Sequence, residues 1–311
     1  MSEFHHVSVL LHESVDALNI RPDGIYVDGT LGGAGHSFEI AGRLTTGRLI
    51  GIDRDETALA AAGARLAPFA DRVTLVHSNF CRMDEVIRQL GLSGVDGILL
   101  DLGVSSPQLD EGSRGFSYMT DAPLDMRMDR TDSLTAYQVV NEWPYEELKR
   151  ILFDYGEERY APQIAAAICR SREQKKIETT LELVDIIRGS LPSAALREKQ
   201  HPAKRSFQAI RIAVNDELDS VSRAMNAAIP ILNPGGRLAV ITFHSLEDRI
   251  VKSAMNDAAK GCTCPPSFPV CVCGRKPKVK VISRKPILPA EQELTENPRA
   301  RSAKLRVCEK L

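Results

Sequence analysis

Long apolar runs are missing from this chain. No stretch approaches the roughly 18 consecutive apolar residues that a bilayer crossing requires. Met1 to Val15 carries His5, His6, His12 and Glu13 and lacks the basic-then-apolar layout of a secretory signal. Together these lead to the expectation of a cytoplasmic protein with no membrane partner. Aromatic residues are scarce at 5%, so the core has to rest on Leu, Ile, Val and Ala. Neither sign of charge dominates: the formal net charge is −1, which excludes a molecule that binds nucleic acid as a polycation throughout. Cysteines number seven, and an odd count argues against a simple disulfide framework. There is no G-x-S-x-G, no H-E-x-x-H and no Walker loop, which counts against the common hydrolase classes and P-loop nucleotide hydrolysis. No internal repeat or low-complexity segment occurs.

What is present is ordinary globular material, 43% hydrophobic and 26% charged over 311 residues, enough for one large domain or two small ones. In the first hundred residues, short apolar strands alternate with helical stretches. Gly24 to Gly29, Arg48 to Asp53, Arg72 to His77 and Val95 to Asp101 read as strands; Ser37 to Leu44, Glu56 to Leu66 and Met83 to Leu90 read as the helices between them. Such alternation implies a parallel sheet with right-handed crossovers. The next strand, Arg237 to Phe243, follows Asn233-Pro234-Gly235-Gly236, a strong turn signal. Far more chain separates it from Asp101 than a crossover needs. One amphipathic helix, about Arg205 to Ile229, suffices for the crossover. The remainder reads as helices at Ser133 to Asn141, Tyr145 to Tyr155, Ala161 to Glu173 and Thr180 to Leu191. The expected architecture is therefore α/β: a Rossmann-like sheet formed by residues 1–109 and 201–311, with 110–200 inserted as a helical substrate-recognition subdomain. After the helix Leu246 to Ala259, Val279 to Ile282 and Lys304 to Val307 are expected to close the sheet as an antiparallel pair.

The first strand runs into Asp28-Gly29-Thr30-Leu31-Gly32-Gly33-Ala34-Gly35-His36, where small residues let backbone approach a ligand. The second strand ends in Asp53, an acid placed to accept both ribose hydroxyls of a nucleoside cofactor. The glycine order does not fit the G-x-G-x-x-G spacing that seats a pyrophosphate, so adenosylmethionine, which has no phosphate, is favoured over NAD. Phe80, after the third strand, is a candidate to pack against the adenine. The fourth strand ends Asp101-Leu102-Gly103-Val104-Ser105-Ser106-Pro107-Gln108. This is a partial match to the Asp/Asn/Ser-Pro-Pro-aromatic segment with which amino-methyltransferases orient an exocyclic amine. Asp101, or Ser106 with the carbonyl beside Pro107, are the candidates for holding the amine N–H groups so that its lone pair meets the methyl. Neither Cys81 nor Cys169 stands beside a proline at a sheet edge, which points to transfer onto nitrogen or oxygen rather than carbon.

The motifs Asp28-Gly29-Thr30 with Gly33-Ala34-Gly35-His36-Ser37, Ile52-Asp53-Arg54-Asp55, Leu100 to Asp110, Arg114-Gly115-Phe116-Ser117, Pro123 to Met128, Phe243 to Arg249 and Asn297 to Ser302 are long and specific. Over essentially its whole length the chain resembles the bacterial 16S ribosomal RNA cytosine-N4 methyltransferase family (RsmH/MraW). The resemblance implies a class I methyltransferase fold with a helical insertion after the fourth strand. It implies methylation of N4 of a cytidine in the decoding centre, with 16S ribosomal RNA in the small subunit as partner. It also implies adenosylmethionine contacts at Ala34, Gly35, His36, Asp53, Phe80, Asp101 and Gln108.

Cys262-x-Cys264 and Cys271-x-Cys273 form a C-x-C…C-x-C set, a candidate for tetrahedral structural zinc. Arg275 to Lys285 holds six basic residues and no acid, and would suit a loop that touches RNA. His244 and Asp248 are further candidates for positioning RNA. Two other readings stay open on sequence: an N-methyltransferase acting on a flipped DNA base, and a non-catalytic ribosome-assembly module that retains the cofactor.

Overall fold

In the computed structural model, which describes residues 8–105, 108, 111–262, 264, 270 and 273–311, seven strands form one sheet. They are β1 (Ile25–Asp28), β2 (Arg48–Asp53), β3 (Val73–His77), β4 (Val95–Asp101), β5 (Leu232–Thr242), β6 (Val279–Val281) and β7 (Lys304–Lys310). Their order is β3-β2-β1-β4-β5-β7-β6. The first five pair in parallel, and β7 runs antiparallel to both β5 and β6. This order with one reversed strand is the class I methyltransferase form of the Rossmann-like sheet. The chain winds outward from β1 toward β3, then returns beside β1 with β4, so β1 and β4 flank the point where strand order reverses. Open α/β sheets bind ligands outside the strand C-termini at that point.

Alternating side chains supply two cores, one on each face of the sheet. Ile98, Leu100, Leu238 and Val240 face one side, together with Val221, Met225 and Val251 from the covering helices. Leu99, Ala239, Ile241 and Tyr26 face the other, together with Ile40, Ala41 and Leu305. The central strands β2 and β4 therefore read as nearly continuous apolar runs rather than as half-polar ones.

The chain divides into two compact units, Met1–Gly103 with Leu218–Leu311, and Val104–Glu217. The second is helical, with helices Ala136–Glu142, Tyr145–Asp154, Ala161–Gln174, Thr180–Ser190 and Lys204–Asn215. Its core gathers Leu148, Ile151, Ile164, Ile168, Leu183, Ile187, Phe207 and Ile210. Its start and end both differ from the limits of 110 and 200 expected on sequence. The later end has a clear cause. The single helix expected over Arg205 to Ile229 is broken at Asp216, which adopts a left-handed backbone (φ 50); Asp and Asn tolerate that conformation better than other side chains. Buried Asn215 fixes the break: its Oδ1 accepts the Met128 N–H at 2.7 Å and its Nδ2 donates to the Met126 carbonyl at 2.7 Å. Arg211 pairs with Glu217 at 2.8 and 2.9 Å across the turn. The helix Lys204–Asn215 thus packs in the helical unit, and Glu217–Ile231 packs on the sheet.

No helix among the described residues is long and apolar enough to cross a membrane.

Candidate active site

The site is built from the C-terminal ends of β1, β2 and β4. Asp28 closes β1 and is buried. Its Oδ2 accepts the Ser37 hydroxyl at 2.6 Å and its Oδ1 accepts the Thr30 N–H at 3.1 Å. One carboxylate thus ties both ends of the glycine turn together. Within that turn Gly32 (φ 47) and Ala34 (φ 56) are left-handed, and the helix Gly35–Arg43 begins with no side-chain cap. The positive end of its dipole favours an anionic group there.

Asp53 closes β2. Its Oδ2 accepts the Gly32 N–H and its Oδ1 the Asp55 N–H, both at 2.9 Å. Each oxygen keeps a further lone pair, so the side chain is oriented by backbone and still able to accept two hydroxyls. Burial raises its pKa to about 6, against the lowering effect of those two hydrogen bonds. Phe80 follows β3 in a single 3-10 turn capped by Asn79, whose side chain accepts the Cys81 N–H at 3.0 Å. Phe80 stands behind the glycine turn: a Cβ on Gly29 would come within 3.1 Å of the Phe80 Cβ and 2.5 Å of a Leu100 methyl.

Asp101 closes β4. Its N–H donates to the Thr30 hydroxyl at 2.6 Å, and its Oδ2 lies 3.8 Å from Nδ1 of His36. His36 is held by its other ring nitrogen, 3.0 Å from the Val9 carbonyl. Oδ1 of Asp101 is buried with no hydrogen-bond partner among the described residues. Burial, then the nearby charges of Asp28 and Glu247, push its carboxyl well above the ordinary range. Asp28 is likewise raised, first by burial. The strand ends therefore concentrate acids whose charged forms are costly without a cation. An orphaned acceptor, a raised carboxylate with spare lone pairs and an uncapped helix start fit adenosylmethionine. That molecule brings two cationic centres, a ribose diol and a carboxylate.

Ala34, Gly35, His36, Asp53, Phe80 and Asp101 all belong to the sheet unit. Gln108 belongs to the helical unit, where it is buried and its Oε1 accepts the Ser105 N–H at 3.0 Å. Ser106, Pro107 and Cys271 lie outside the described residues. Sequence reasoning missed Asp28 and Thr30 as organisers of the turn, and Glu247. Glu247 is buried, accepts the Phe243 and His244 N–H groups at 2.8 and 3.3 Å, and completes a capping box with His244. The spacing His244-x-x-Glu247 at a helix start is the signal that would have found it. Asp248 is engaged elsewhere: Arg306 donates to its two oxygens at 2.6 and 3.1 Å. Despite partial burial, Arg306 and Lys304 hold its carboxyl below the usual range. An acid so paired is a structural tie between helix and β7, which is a poor fit to the RNA-positioning role expected for it.

A family model described as the MraW methylase family matches residues 3–311. The chain belongs to that family. It is 62% identical over 309 residues to the ribosomal RNA small subunit methyltransferase H of Brevibacillus brevis, covering 99% of this chain and 98% of that one. With the protein of the same name from Heliobacterium modesticaldum it shares 58% identity over 310 residues and 99% of each chain. Among solved structures, an rRNA methylase from Streptococcus thermophilus aligns over 98% of this chain and 99% of its own, with a TM-score of 0.45 and 13% identity, a distant likeness. The protein is thus a methyltransferase, and its cofactor is adenosylmethionine.

The raised carboxyl of Asp53 gives the site a pH dependence. The group is charged above about pH 6 and neutral below it. As a carboxylate it accepts two hydroxyls, and as an acid it gives up one acceptor position to its own proton. The Asp53 contribution to adenosylmethionine affinity is expected to be lost as pH falls through about 6, approaching tenfold per pH unit for one proton. Isothermal titration across pH 5 to 8 checks this; an affinity that strengthens in acid would contradict it.

Proposed function

We propose that this chain methylates the exocyclic N4 of a cytidine in the decoding centre of 16S ribosomal RNA, within the small ribosomal subunit, by direct in-line attack of the amine. The observation that carries the reading is the 62% identity, over 99% of this chain, to a ribosomal RNA small subunit methyltransferase. Bound adenosylmethionine supplies an electrophilic methyl group on a sulfonium. The glycine turn with Ala34, Gly35 and His36, the carboxylate of Asp53, and Phe80 would hold it. Asp101 is assigned to the cofactor as well, since its buried oxygen, unpartnered among the described residues, suits a cationic group. Gln108 is assigned as a further cofactor contact. Ser106 and Pro107 are proposed to position the amine N–H groups.

Two buried cysteines argue against carbon as the acceptor atom. Attack on a pyrimidine carbon is usually prepared by a thiolate. Here burial pushes the Cys81 thiol up and the Cys308 thiol up to about 12. Thiols of that kind stay protonated and inert. The exposed Lys276, Lys278, Lys280, Arg284 and Lys285 supply charge for RNA phosphates.

The test is to incubate the protein with methyl-labelled adenosylmethionine and small subunits that lack the modification, then digest the RNA and identify the labelled nucleoside by mass. N4-methylcytidine is the expected product. Label on another nucleoside, or on DNA alone, would overturn the assignment, as would tight cofactor binding with no transfer to subunits or free RNA.

A further inference from the structure

The cysteine loop plays no part in the chemistry above. It connects the helix Ser245–Ala259 to β6, and three of its thiols converge. The sulfur atoms of Cys262, Cys264 and Cys273 all lie within 4.8 Å of one another. Cys262 and Cys273 are 3.7 Å apart, sulfur to sulfur. An ion at the centre of a regular tetrahedron, bonded to sulfur at about 2.3 Å, sets its ligand atoms about 3.8 Å apart. The pair is therefore spaced as two ligands of one zinc ion. A second feature points the same way: the Cys264 N–H donates to the Cys262 sulfur at 3.4 Å. A hydrogen bond of that kind stabilises a thiolate and orients it as a ligand.

We propose that Cys262, Cys264 and Cys273 bind a structural zinc ion. Cys271, the remaining cysteine of the C-x-C…C-x-C set, lies outside the described residues. Soft thiolates in tetrahedral array select zinc over hard cations such as magnesium or calcium. The ion draws together the segment leaving the helix and the segment entering β6. Next to it the Lys278 N–H donates to the Ala258 carbonyl at 2.8 Å. It thereby fixes the start of the run Arg275, Lys276, Lys278 and Lys280, all exposed.

The experiment measures metal content in the full-length, untagged protein purified in reducing buffer without chelator. Elemental analysis is expected to find about one zinc per chain. The double variant C262S/C273S is expected to lose it while adenosylmethionine affinity stays within about twofold of wild type, and Cys169→Ala, a cysteine of the helical unit, is expected to keep it. Wild-type protein with less than about a tenth of an equivalent of zinc, iron in its place, or zinc retained by the double variant would overturn the proposal. Should the double variant lose cofactor binding through misfolding, cobalt(II) exchanged into wild-type protein decides. Sulfur-to-cobalt charge-transfer bands with intense tetrahedral d–d absorption support the site, and their absence overturns it.

Discussion

Replacing Asp53 by Ala is expected to weaken adenosylmethionine binding by about 10²- to 10⁴-fold, with kcat/KM falling in step. The magnitude follows from the lost contacts. Hydrogen bonds to a charged group are worth about 1.5–3 kcal/mol each, and two hydroxyl acceptors are removed together. The side chain is prepared for that task before ligand arrives, because the Gly32 and Asp55 N–H groups fix both of its oxygens. Those same bonds complicate the stability effect. Alanine leaves two backbone donors without their acceptor, a loss offset by removal of a carboxylate that burial has raised to about 6. The melting temperature of the empty protein is therefore expected to move little. Titration calorimetry beside a thermal melt separates the two readouts. Wild-type affinity in this variant would refute the placement of the ribose at β2, and with it the site.

Asp53 was legible in the sequence because two strong signals coincide at it: an apolar run of strand length, and an acid as its last residue after an earlier glycine turn. The central parallel strands were legible for the same reason, since strands buried on both faces announce themselves as apolar runs. Side-chain ties across the chain were not. Asp28 reads as one more strand-end acid, and only the folded chain reveals that it clamps Ser37 and Thr30. Glu247 reads as a helix-surface acid, yet tertiary packing buries it and places its charge near Asp101. The break at Asp216 was hidden because the apolar periodicity continues through it; what stops the helix is Asn215 bonding to the chain at Met126 and Met128, distant in sequence. The Pro-Gly-Gly segment was read as a turn before the fifth strand, whereas β5 already begins at Leu232, pairing with Val95 ahead of a register shift. Local signals located the elements, and long-range hydrogen bonds decided which of their residues matter.

Asp101→Asn is expected to act in opposite directions on stability and on function. The carboxylate closes β4 with one oxygen buried and unpartnered among the described residues, and burial together with Asp28 and Glu247 disfavours its charge. An acid whose folded pKa is raised binds its proton more tightly in the native state, so charging it above that pKa costs stability. Asparagine keeps the shape and removes the charge. The empty variant is expected to melt at or above the wild-type temperature, by about 2 °C for each kcal/mol relieved. The advantage is expected to be largest at neutral to alkaline pH and to shrink in acid, where the wild-type carboxyl is itself protonated. Cofactor binding runs the other way. Losing one charge-assisted contact to a cationic ligand is worth about 1.5–3 kcal/mol, a loss of about 10- to 150-fold in affinity. Adenosylhomocysteine, which lacks the sulfonium charge but keeps the ammonium, discriminates between the two cationic centres. An equal loss for both ligands places Asp101 against the ammonium, and a loss confined to adenosylmethionine places it near the transferred methyl. A purely structural role predicts a lowered melting temperature with affinity intact, and that result would remove Asp101 from the site. The expected pattern is that of a residue kept for binding at the expense of the empty fold.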